Sequence, residues 1–269
     1  MIEVKNLTKS YIYKGEKITV FKNLSFTIQT GESVAILGRN GAGKSSLLRI
    51  IGGIDYPDSG TVETDRSMSW PVGLKGGFQG SLTGRENIIF LSKMFYGSDT
   101  KKISKIVNFV KDFADIGLYF DKPFKSYSTG MRARLNFGAS MAFDFDVYLI
   151  DEVSAAGDVG FREKCKVALT EKLNKSDFLM VNHNLWSLKP VCNRALVLDE
   201  GNLFQYDSVP EAIEFHKDTL GSNKSNIGKN KNKLNRNKKR RKMDQRNSIN
   251  KNDKEFKNKN LLTKRRENL

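Results

Sequence analysis

A glycine-rich segment near the amino terminus carries the residue types that bind phosphate. It fits the pattern GxxxxGK[ST] and consists of Gly38, Arg39, Asn40, Gly41, Ala42, Gly43, Lys44 and Ser45. Glycines let backbone N–H groups converge on phosphate oxygens, and the dipole of a following helix favours negative charge there. We expect Lys44 to reach the β- and γ-phosphates, Ser45 to bind Mg²⁺ and Ser46 to contact the α-phosphate. A plain strand-to-helix turn is disfavoured by the eight-position match and its flanks, so the segment predicts an ATP or GTP site.

A pair of carboxylates follows an apolar run in the second half of the chain. Residues 147–150 are apolar and β-rich, and Asp151 and Glu152 come directly after them. Because the carboxyl ends of parallel strands point at the ligand crevice, we expect the pair near the phosphate loop. Asp151 would hold Mg²⁺, and Glu152 would polarise an attacking water. Such a pair is often a solvated turn, but the phosphate loop in the same chain favours the functional interpretation.

These residues need a sheet to position them, and the hydrophobic pattern predicts one. Short apolar runs at 33–37, 147–150, 178–181 and 195–198 alternate with helical patterns, which is typical of an α/β domain with a largely parallel sheet. Residues 2–7, 18–21 and 24–28 alternate between apolar and polar residues and predict an antiparallel layer. Between about 82 and 142 the strand signal gives way to helical spacing, so we expect an inserted helical subdomain there.

The net charge of +16 is concentrated at the carboxyl end of the sequence. Residues 221–269 hold 18 Lys and Arg against 4 Asp and Glu, whereas residues 1–220 hold 28 against 26. The terminal segment is also rich in Asn, so we predict a disordered basic tail after a folded domain of residues 1–220. This tail has three interpretations. It could contact anionic lipid, it could contact nucleic acid, or it could reflect a codon bias toward Lys and Asn in an AT-rich genome.

Composition also limits where the chain works. The sequence holds no apolar run of the ~18 to 20 residues that cross a bilayer, and no secretory signal pattern at its start. Cys165 and Cys192 are widely spaced and outside any metal-binding pattern, so we expect ordinary reduced thiols. The sequence predicts a cytosolic protein.

Further segments resemble, in their order along the chain, the motifs of ABC-type ATPases. Gln79 resembles the glutamine of the Q-loop, which senses Mg²⁺ or water, and His183 resembles the switch histidine that contacts the γ-phosphate. Asp158 matches the end of the D-loop, although it could also cap a helix. Tyr11 stands where the family places an aromatic residue that stacks on adenine, with Tyr13 as a neighbouring competitor. The resemblance covers residues 1 to about 220.

The signature loop of that family has a reduced counterpart at residues 127–131. Tyr127 stands in place of the usual leucine, and Thr129 and Met131 also depart from the pattern Leu-Ser-Gly-Gly-Gln. Ser128 and Gly130 are retained, which keeps a hydroxyl and a close-approaching backbone at a helix amino terminus. Hydrolysis is therefore expected, while a regulatory ATP-binding module without turnover is the alternative that the altered signature suggests.

The resemblance implies an ABC ATPase cassette, that is, a P-loop NTPase core with an antiparallel β layer and a helical insert. It implies ATP and Mg²⁺ as ligands and a head-to-tail homodimer in which each phosphate loop faces the other chain's Ser128 and Gly130. It further implies a separately encoded transmembrane permease, contacted near residues 79–87 and through the helical insert. The chain is accordingly expected at the cytoplasmic face of the bacterial inner membrane.

Within the family, residues 76–87 and the reduced signature resemble the ATPases of capsular-polysaccharide exporters. The ATPases of O-antigen and teichoic-acid exporters are close relatives, and some O-antigen ATPases carry a β-rich carboxyl-terminal domain where this chain has only its basic tail. The capsule type is therefore favoured. A soluble ABC-type ATPase that acts on nucleic acid or ribosomes is the alternative from another class, and the basic tail is its main support.

Overall fold

The computed structural model describes residues 1–72, 77–151, 158–181 and 191–221. The strands are β1 (Ile2–Tyr13), β2 (Glu16–Ile28), β3 (Val34–Gly38), β4 (Ser59–Thr64), β5 (Val147–Asp151), β6 (Asp177–Val181), β7 (Arg194–Asp199) and β8 (Asn202–Tyr206). The helices are α1 (Lys44–Ile51), α2 (Gly84–Tyr96), α3 (Thr100–Ala114), α4 (Thr129–Ala142), α5 (Val159–Leu173) and α6 (Val209–Gly221). Short 3₁₀ turns occur at Gly117–Asp121 and Phe124–Ser126.

A five-stranded sheet of order β5-β6-β3-β7-β8 forms the centre of the fold. Its first four strands are parallel and β8 is an antiparallel edge strand. Strand β3 is buried along its whole length, as expected for a strand covered on both faces. The predicted parallel strands are therefore confirmed, and the carboxyl ends of β3, β5 and β6 lie at one edge of the sheet.

The antiparallel layer has the order β2-β1-β4. Lys14 and Gly15 both have positive φ, which is typical of a tight turn whose twist matches that of the two strands it joins. Apolar side chains of β1 and β2 share a buried cluster with Leu47 and Leu48 of α1 and with Ile36 of β3. The layer therefore covers the helix that follows the phosphate loop.

The helical part runs from α2 to α4 and has a core of its own. Ile88, Val107, Phe120 and Leu135 are among the buried side chains that pack together there. The start of α2 is fixed by a capping box, in which Thr83 and Glu86 exchange side-chain and backbone hydrogen bonds. The predicted helical insert is thus present.

A segment beside β5 connects the antiparallel layer to the helical part. The backbone N–H of Ser69 donates to the carbonyl of Val147 (2.9 Å), and that of Val72 donates to Leu149 (2.8 Å). The indole of Trp70 donates to Ser140 in α4 (2.9 Å). These contacts hold residues 69–72 against β5 and α4.

The chain divides into two compact units, Met1–His216 and Lys217–Leu269, and the sites discussed below belong to the first. The predicted tail lies outside the described residues from position 222 onward. Across the described ranges, no helix is both long and apolar enough to cross a membrane. Cys165 and Cys192 are unbonded, and burial raises the pKa of these thiols to about 11 and about 12, so both stay protonated at neutral pH.

Candidate functional site

The phosphate loop lies between β3 and α1, tightly packed between neighbouring strands. Gly41 and Gly43 adopt left-handed backbone conformations, which turn successive N–H groups toward the inside of the loop. A side chain at Gly43 would collide with Val20 of β2, and one at Gly38 would collide with the carbonyl of Leu198 in β7. Only glycine fits at both positions, so this loop is a rigid cradle of backbone donors suited to phosphate.

Lys44 closes this cradle. Its Nζ donates hydrogen bonds to the carbonyl oxygens of Gly38 and Arg39, both at 2.9 Å, and the side chain is buried. A positive charge held at the first turn of α1 adds to the helix dipole, so an anion is strongly favoured there. Ser45 and Ser46 follow in the same turn and are half-buried. The geometry of residues 38–46 is therefore compatible with the phosphate site that the sequence predicts.

Tyr11, near the end of β1, contacts the same first turn of α1. Its hydroxyl lies 3.1 Å from Oγ of Ser46 and 2.9 Å from Oδ2 of Asp55, a residue that the sequence did not single out. Tyr13 lies at the hairpin turn and is 62% exposed, compared with 40% for Tyr11. Of the two candidates for adenine stacking, the structure thus joins Tyr11 to the first turn of α1.

Asp151 ends β5 at the same edge of the sheet as the phosphate loop. It pairs with Val181 of β6, and β6 lies between β5 and β3. Two strand spacings separate Asp151 from β3, a distance of about 10 Å. No cluster of three or more His, Cys, Asp or Glu that could hold a metal occurs within the described ranges. A magnesium ion bound through one carboxylate, one hydroxyl and nucleotide phosphates needs no such cluster.

Gln79 is held at the entrance to α2 by Asn87, which the sequence analysis missed. The buried amide of Asn87 accepts from the N–H of Gln79 (2.8 Å) and donates to the carbonyls of Gln79 (3.1 Å) and Thr83 (2.9 Å). The side chain of Gln79 remains exposed. One amide thereby fixes the backbone of this loop while its glutamine side chain stays available.

The signature segment begins α4 as predicted. Ser128 is the N-cap and its Oγ accepts from the N–H of Met131 at 3.2 Å. The preceding segment is bonded to the loop of Gln79 through the backbone. The N–H of Lys125 donates to the carbonyl of Gly80 (2.9 Å), and that of Phe124 donates to the carbonyl of Leu82 (2.8 Å). Gly130 lies in the first turn of α4, where an added methyl group would meet Oγ of Ser128 at 3.9 Å, an ordinary contact distance. A ligand could therefore approach its backbone closely.

Tyr127 occupies a site that only a neighbouring glycine makes possible. Its ring is buried, and a methyl group at Gly84 would collide with its hydroxyl. Burial raises the pKa of Tyr127, and its hydroxyl lies against the backbone of Gly84. The contact joins the start of α2 directly to the signature segment.

Asp158 begins α5 and makes two kinds of contact. Its Oδ1 accepts from the N–H of Phe161 (2.9 Å), which makes it a helix cap, and its Oδ2 accepts from Arg134 of α4 (2.6 Å). Arg134 also lies over the Phe161 ring, with its guanidinium carbon 4.4 Å from the centroid. Asp158 therefore caps α5, as the alternative interpretation expected. Its ion pair with Arg134 also links the start of α5 to the signature helix α4.

Glu152 and His183, predicted to act on water and on the γ-phosphate, lie outside the described residues. The other predicted site residues form two groups. The first comprises the phosphate loop, Tyr11 and Asp151 around the central sheet, and the second comprises Gln79, Ser128, Gly130 and Asp158 on the helical part and its border. Asn87, Arg134 and Asp55 were missed because a lone amide or charge within a helix or turn has no sequence pattern of its own.

The family described as "ABC transporter" matches residues 21–155. The polysialic acid transport ATP-binding protein KpsT of Escherichia coli is 51% identical over 218 residues, which is 81% of this chain and 96% of that protein. The capsule polysaccharide export ATP-binding protein CtrD of Neisseria meningitidis is 41% identical, over 80% and 98% of the two chains. The O-antigen export system ATP-binding protein RfbB of Klebsiella pneumoniae is 35% identical, over 78% and 85%.

Among solved structures, the ATP-binding cassette MJ0796, in a dimeric post-hydrolysis state bound to ADP and Pi, superposes with a TM-score of 0.61. It is 23% identical, and the match covers 76% of this chain and 98% of MJ0796. The likeness confirms the predicted cassette fold, with its α/β core, antiparallel layer and helical insert.

We predict that Gly84→Ala destabilises the protein and that Tyr127→Phe relieves part of the loss. The added methyl group meets the Tyr127 hydroxyl, and overpacking of this kind costs about 1 to 3 kcal/mol in the free energy of unfolding. Urea unfolding of the wild type, both single variants and the double variant measures the coupling. A loss in Gly84→Ala that Tyr127→Phe leaves entirely unchanged would contradict the contact.

Proposed function

Because this chain belongs to the ABC transporter family of ATP-binding proteins, we propose that it is the ATP-hydrolysing subunit of a bacterial capsular-polysaccharide exporter. The single observation that carries the proposal is the phosphate cradle, in which buried Lys44 stands at the first turn of α1. The relatives named for polysialic acid and capsule export support the choice of substrate, since the O-antigen relative has lower identity.

The described residues fit a magnesium nucleotide. Backbone N–H groups of the loop and Lys44 would bind the β- and γ-phosphates, and Ser46 would contact the α-phosphate. Ser45 and Asp151 supply the oxygen ligands that Mg²⁺ prefers. The ion would screen the phosphate charge during transfer of the γ-phosphoryl group to water. Tyr11 would stack on the adenine.

The hydrolytic step requires groups around the γ-phosphate. Glu152, directly after Asp151, would accept the proton of the attacking water, and His183 would donate a hydrogen bond to the γ-phosphate. Gln79 would help to position the water or Mg²⁺. Its exposed side chain on a loop held by Asn87 supports that role.

Two copies of the chain would complete each site. Ser128 and Gly130 belong to the helical part, whereas the phosphate loop belongs to the sheet, and the helix amino terminus of α4 suits a phosphate. In a head-to-tail homodimer, each signature segment would meet the nucleotide of the other chain. The hydrolysis of ATP would then remove contacts made only by the γ-phosphate and reopen the dimer.

The helical part would receive a separately encoded permease. Phe90 and Met94, one turn apart on α2, are 63% and 70% exposed, and Leu118 is 86% exposed. Large apolar side chains exposed in this way are typical of protein contact sites. Helix α2, which carries Phe90 and Met94, begins at the loop of Gln79, so movement around the nucleotide would reach the permease. The chain would therefore work at the cytoplasmic face of the inner membrane, as a peripheral subunit.

The alternatives are less well supported. An O-antigen or teichoic-acid exporter remains the nearest alternative within the family. An ATPase that acts on nucleic acid or ribosomes rests on the basic tail alone, whereas the relatives above are named for transport or export. A regulatory module without turnover would conflict with the retained Glu152 and His183.

We predict that Lys44→Ala abolishes ATP binding or turnover, while Glu152→Gln keeps ATP binding and blocks hydrolysis. Lys44 supplies charge to the phosphates, whereas Glu152 acts only on the water. Gel filtration with ATP should therefore show a trapped dimer for Glu152→Gln. Hydrolysis at the wild-type rate by Glu152→Gln would assign the base to another group. A Glu152→Gln protein that stays monomeric with bound ATP would exclude the shared site.

We predict that Phe90→Asp with Met94→Asp releases the chain from its permease without reducing basal ATPase activity. The two aspartates place charge on an apolar contact surface, far from the phosphate loop in sequence. Co-purification with the co-expressed permease measures binding. Phe109→Asp on α3 is the matched control, because Phe109 is likewise exposed. Equal retention of all three proteins would assign the docking site to another surface.

We propose further that residues 221–269 help to hold the chain at an anionic membrane surface. KpsT is matched over 96% of its length by 81% of this chain, so part of this chain lies outside the match. Each Lys or Arg near such a surface contributes about 1 kcal/mol, and salt weakens the attraction. The codon-bias interpretation predicts no role, and a nucleic-acid role predicts binding to RNA.

We therefore expect truncation after Leu220 to preserve ATPase activity and to reduce binding to anionic liposomes at low salt. Neutral liposomes and RNA are the matched ligands for comparison. If the truncated chain binds anionic liposomes as well as the full chain, the membrane role is wrong. If it loses ATPase activity, residues 221–269 belong to the folded domain.

A further inference from the structure

Asp55 and Tyr11 are joined by a network of hydrogen bonds next to the phosphate loop. Asp55 lies in the turn after α1, and its Oδ2 accepts from the Tyr11 hydroxyl at 2.9 Å. A phenol has one proton and a carboxylate can only accept, so that proton goes to Asp55. The Tyr11 oxygen can then accept from the hydroxyl of Ser46, 3.1 Å away. Tyr11 is thus tied to the first turn of α1 and to the turn that follows this helix.

Lys9 completes the network from the same strand as Tyr11. Its Nζ donates to Oδ1 of Asp55 (2.8 Å) and to the carbonyl of Tyr56 (2.6 Å). Although it is a lysine, only 8% of its surface is exposed. The hydrogen bond from Lys9 lowers the pKa of Asp55, and the same bond raises the pKa of Lys9. Both groups are charged at neutral pH, so the carboxylate is a permanent acceptor for Tyr11.

Lys9 also decides which face of the Tyr11 ring is open. Its Nζ lies 4.9 Å from the ring centroid and so occupies one face of the ring. A planar base can stack only on the opposite face, and Tyr11 as a whole is 40% exposed. The hydrogen bonds of the hydroxyl fix the position of the Tyr11 ring. The ammonium of Lys9 covers one of its faces and leaves the other for a base.

We propose that Lys9 and Asp55 are positioning residues for the nucleotide base, which hold the Tyr11 ring in its stacking orientation. A side chain that is already ordered loses less conformational freedom when the base stacks on it, so the affinity for the nucleotide rises. Because Tyr11 also contacts Ser46, the base and the α-phosphate would be recognised by parts of one network. This inference rests on the proposed ATP site and adds two residues to it.

The test is a double-mutant cycle measured by titration calorimetry with Mg-ATP and with Mg-tripolyphosphate, which lacks the base. We expect Asp55→Ala and Tyr11→Phe each to weaken ATP binding about five-fold, the size of one lost hydrogen bond. The double variant should be no weaker than the weaker single variant, because both remove the same link. Tripolyphosphate binding should stay at the wild-type value in all three.

Asp58→Ala is the matched control, since Asp58 is an exposed carboxylate three residues further on, and it should bind ATP as the wild type does. Lys9→Met, which removes the ammonium but keeps the stem, should reproduce the Asp55→Ala loss. Melting curves verify that each variant is folded. Equal loss of tripolyphosphate binding in Asp55→Ala, or its full ATP effect persisting in the Tyr11→Phe background, would overturn the positioning role.

The same experiment separates this inference from the proposed function. A wild-type chain that binds neither ATP nor tripolyphosphate would refute the nucleotide site itself. Normal ATP binding by Tyr11→Ala would instead remove Tyr11 from base recognition and leave the phosphate site intact. A Tyr11→Ala loss that Asp55→Ala and Lys9→Met do not share would refute the positioning role alone.

Discussion

The close packing of the phosphate loop is the constraint on which the other features depend. Gly43 lies against Val20 of the antiparallel layer, and Gly38 lies against the backbone of β7, so the loop has no room to relax. Lys44 then bonds back to the carbonyl of Gly38 and buries its charge within the loop. Burial of an ammonium costs free energy unless the group is well hydrogen-bonded, and a buried ammonium attracts an anion strongly. Tight packing thus converts a short motif into a binding site.

The same constraint links the antiparallel layer to the phosphate loop. Val20 supports the loop from β2, and Tyr11 of β1 reaches the first turn of the helix that follows it. The layer therefore positions both a structural neighbour of the phosphates and the candidate partner of the base. On the other side of the fold, Asn87 and the Thr83 capping box hold the loop of Gln79 to α2. A few buried polar contacts set each loop, because irregular backbone needs partners for its N–H and C=O groups.

Patterns with a fixed local mechanism were predictable from the sequence. The phosphate loop, the buried strand before Asp151 and the helix that begins after Ser128 each combine a hydrophobic period with a specific flank, and the structure contains all three. Strands β1 and β2 were predicted as well, although both extend further toward the turn between them than the alternating runs at 2–7 and 18–28 indicated. Strands β4 and β8 and helix α6 were missed, because β4 is largely exposed and α6 follows a short edge strand with weak periodicity.

What the sequence could not supply was pairing between distant residues. Arg134 and Asp158, or Lys9 and Asp55, become partners only when separate elements meet, and neither member of a pair has a motif that names the other. The altered signature illustrates the point. Considered alone, Tyr127 in place of leucine is an irregularity, whereas in the structure it fills a site left open by Gly84 at the start of α2. The larger ring therefore fits without displacing Ser128, and the segment that caps α4 is packed directly against the helix that begins beside Gln79. The change in the signature segment and the absence of a side chain at Gly84 are therefore two parts of one contact between the start of α2 and the segment that caps α4.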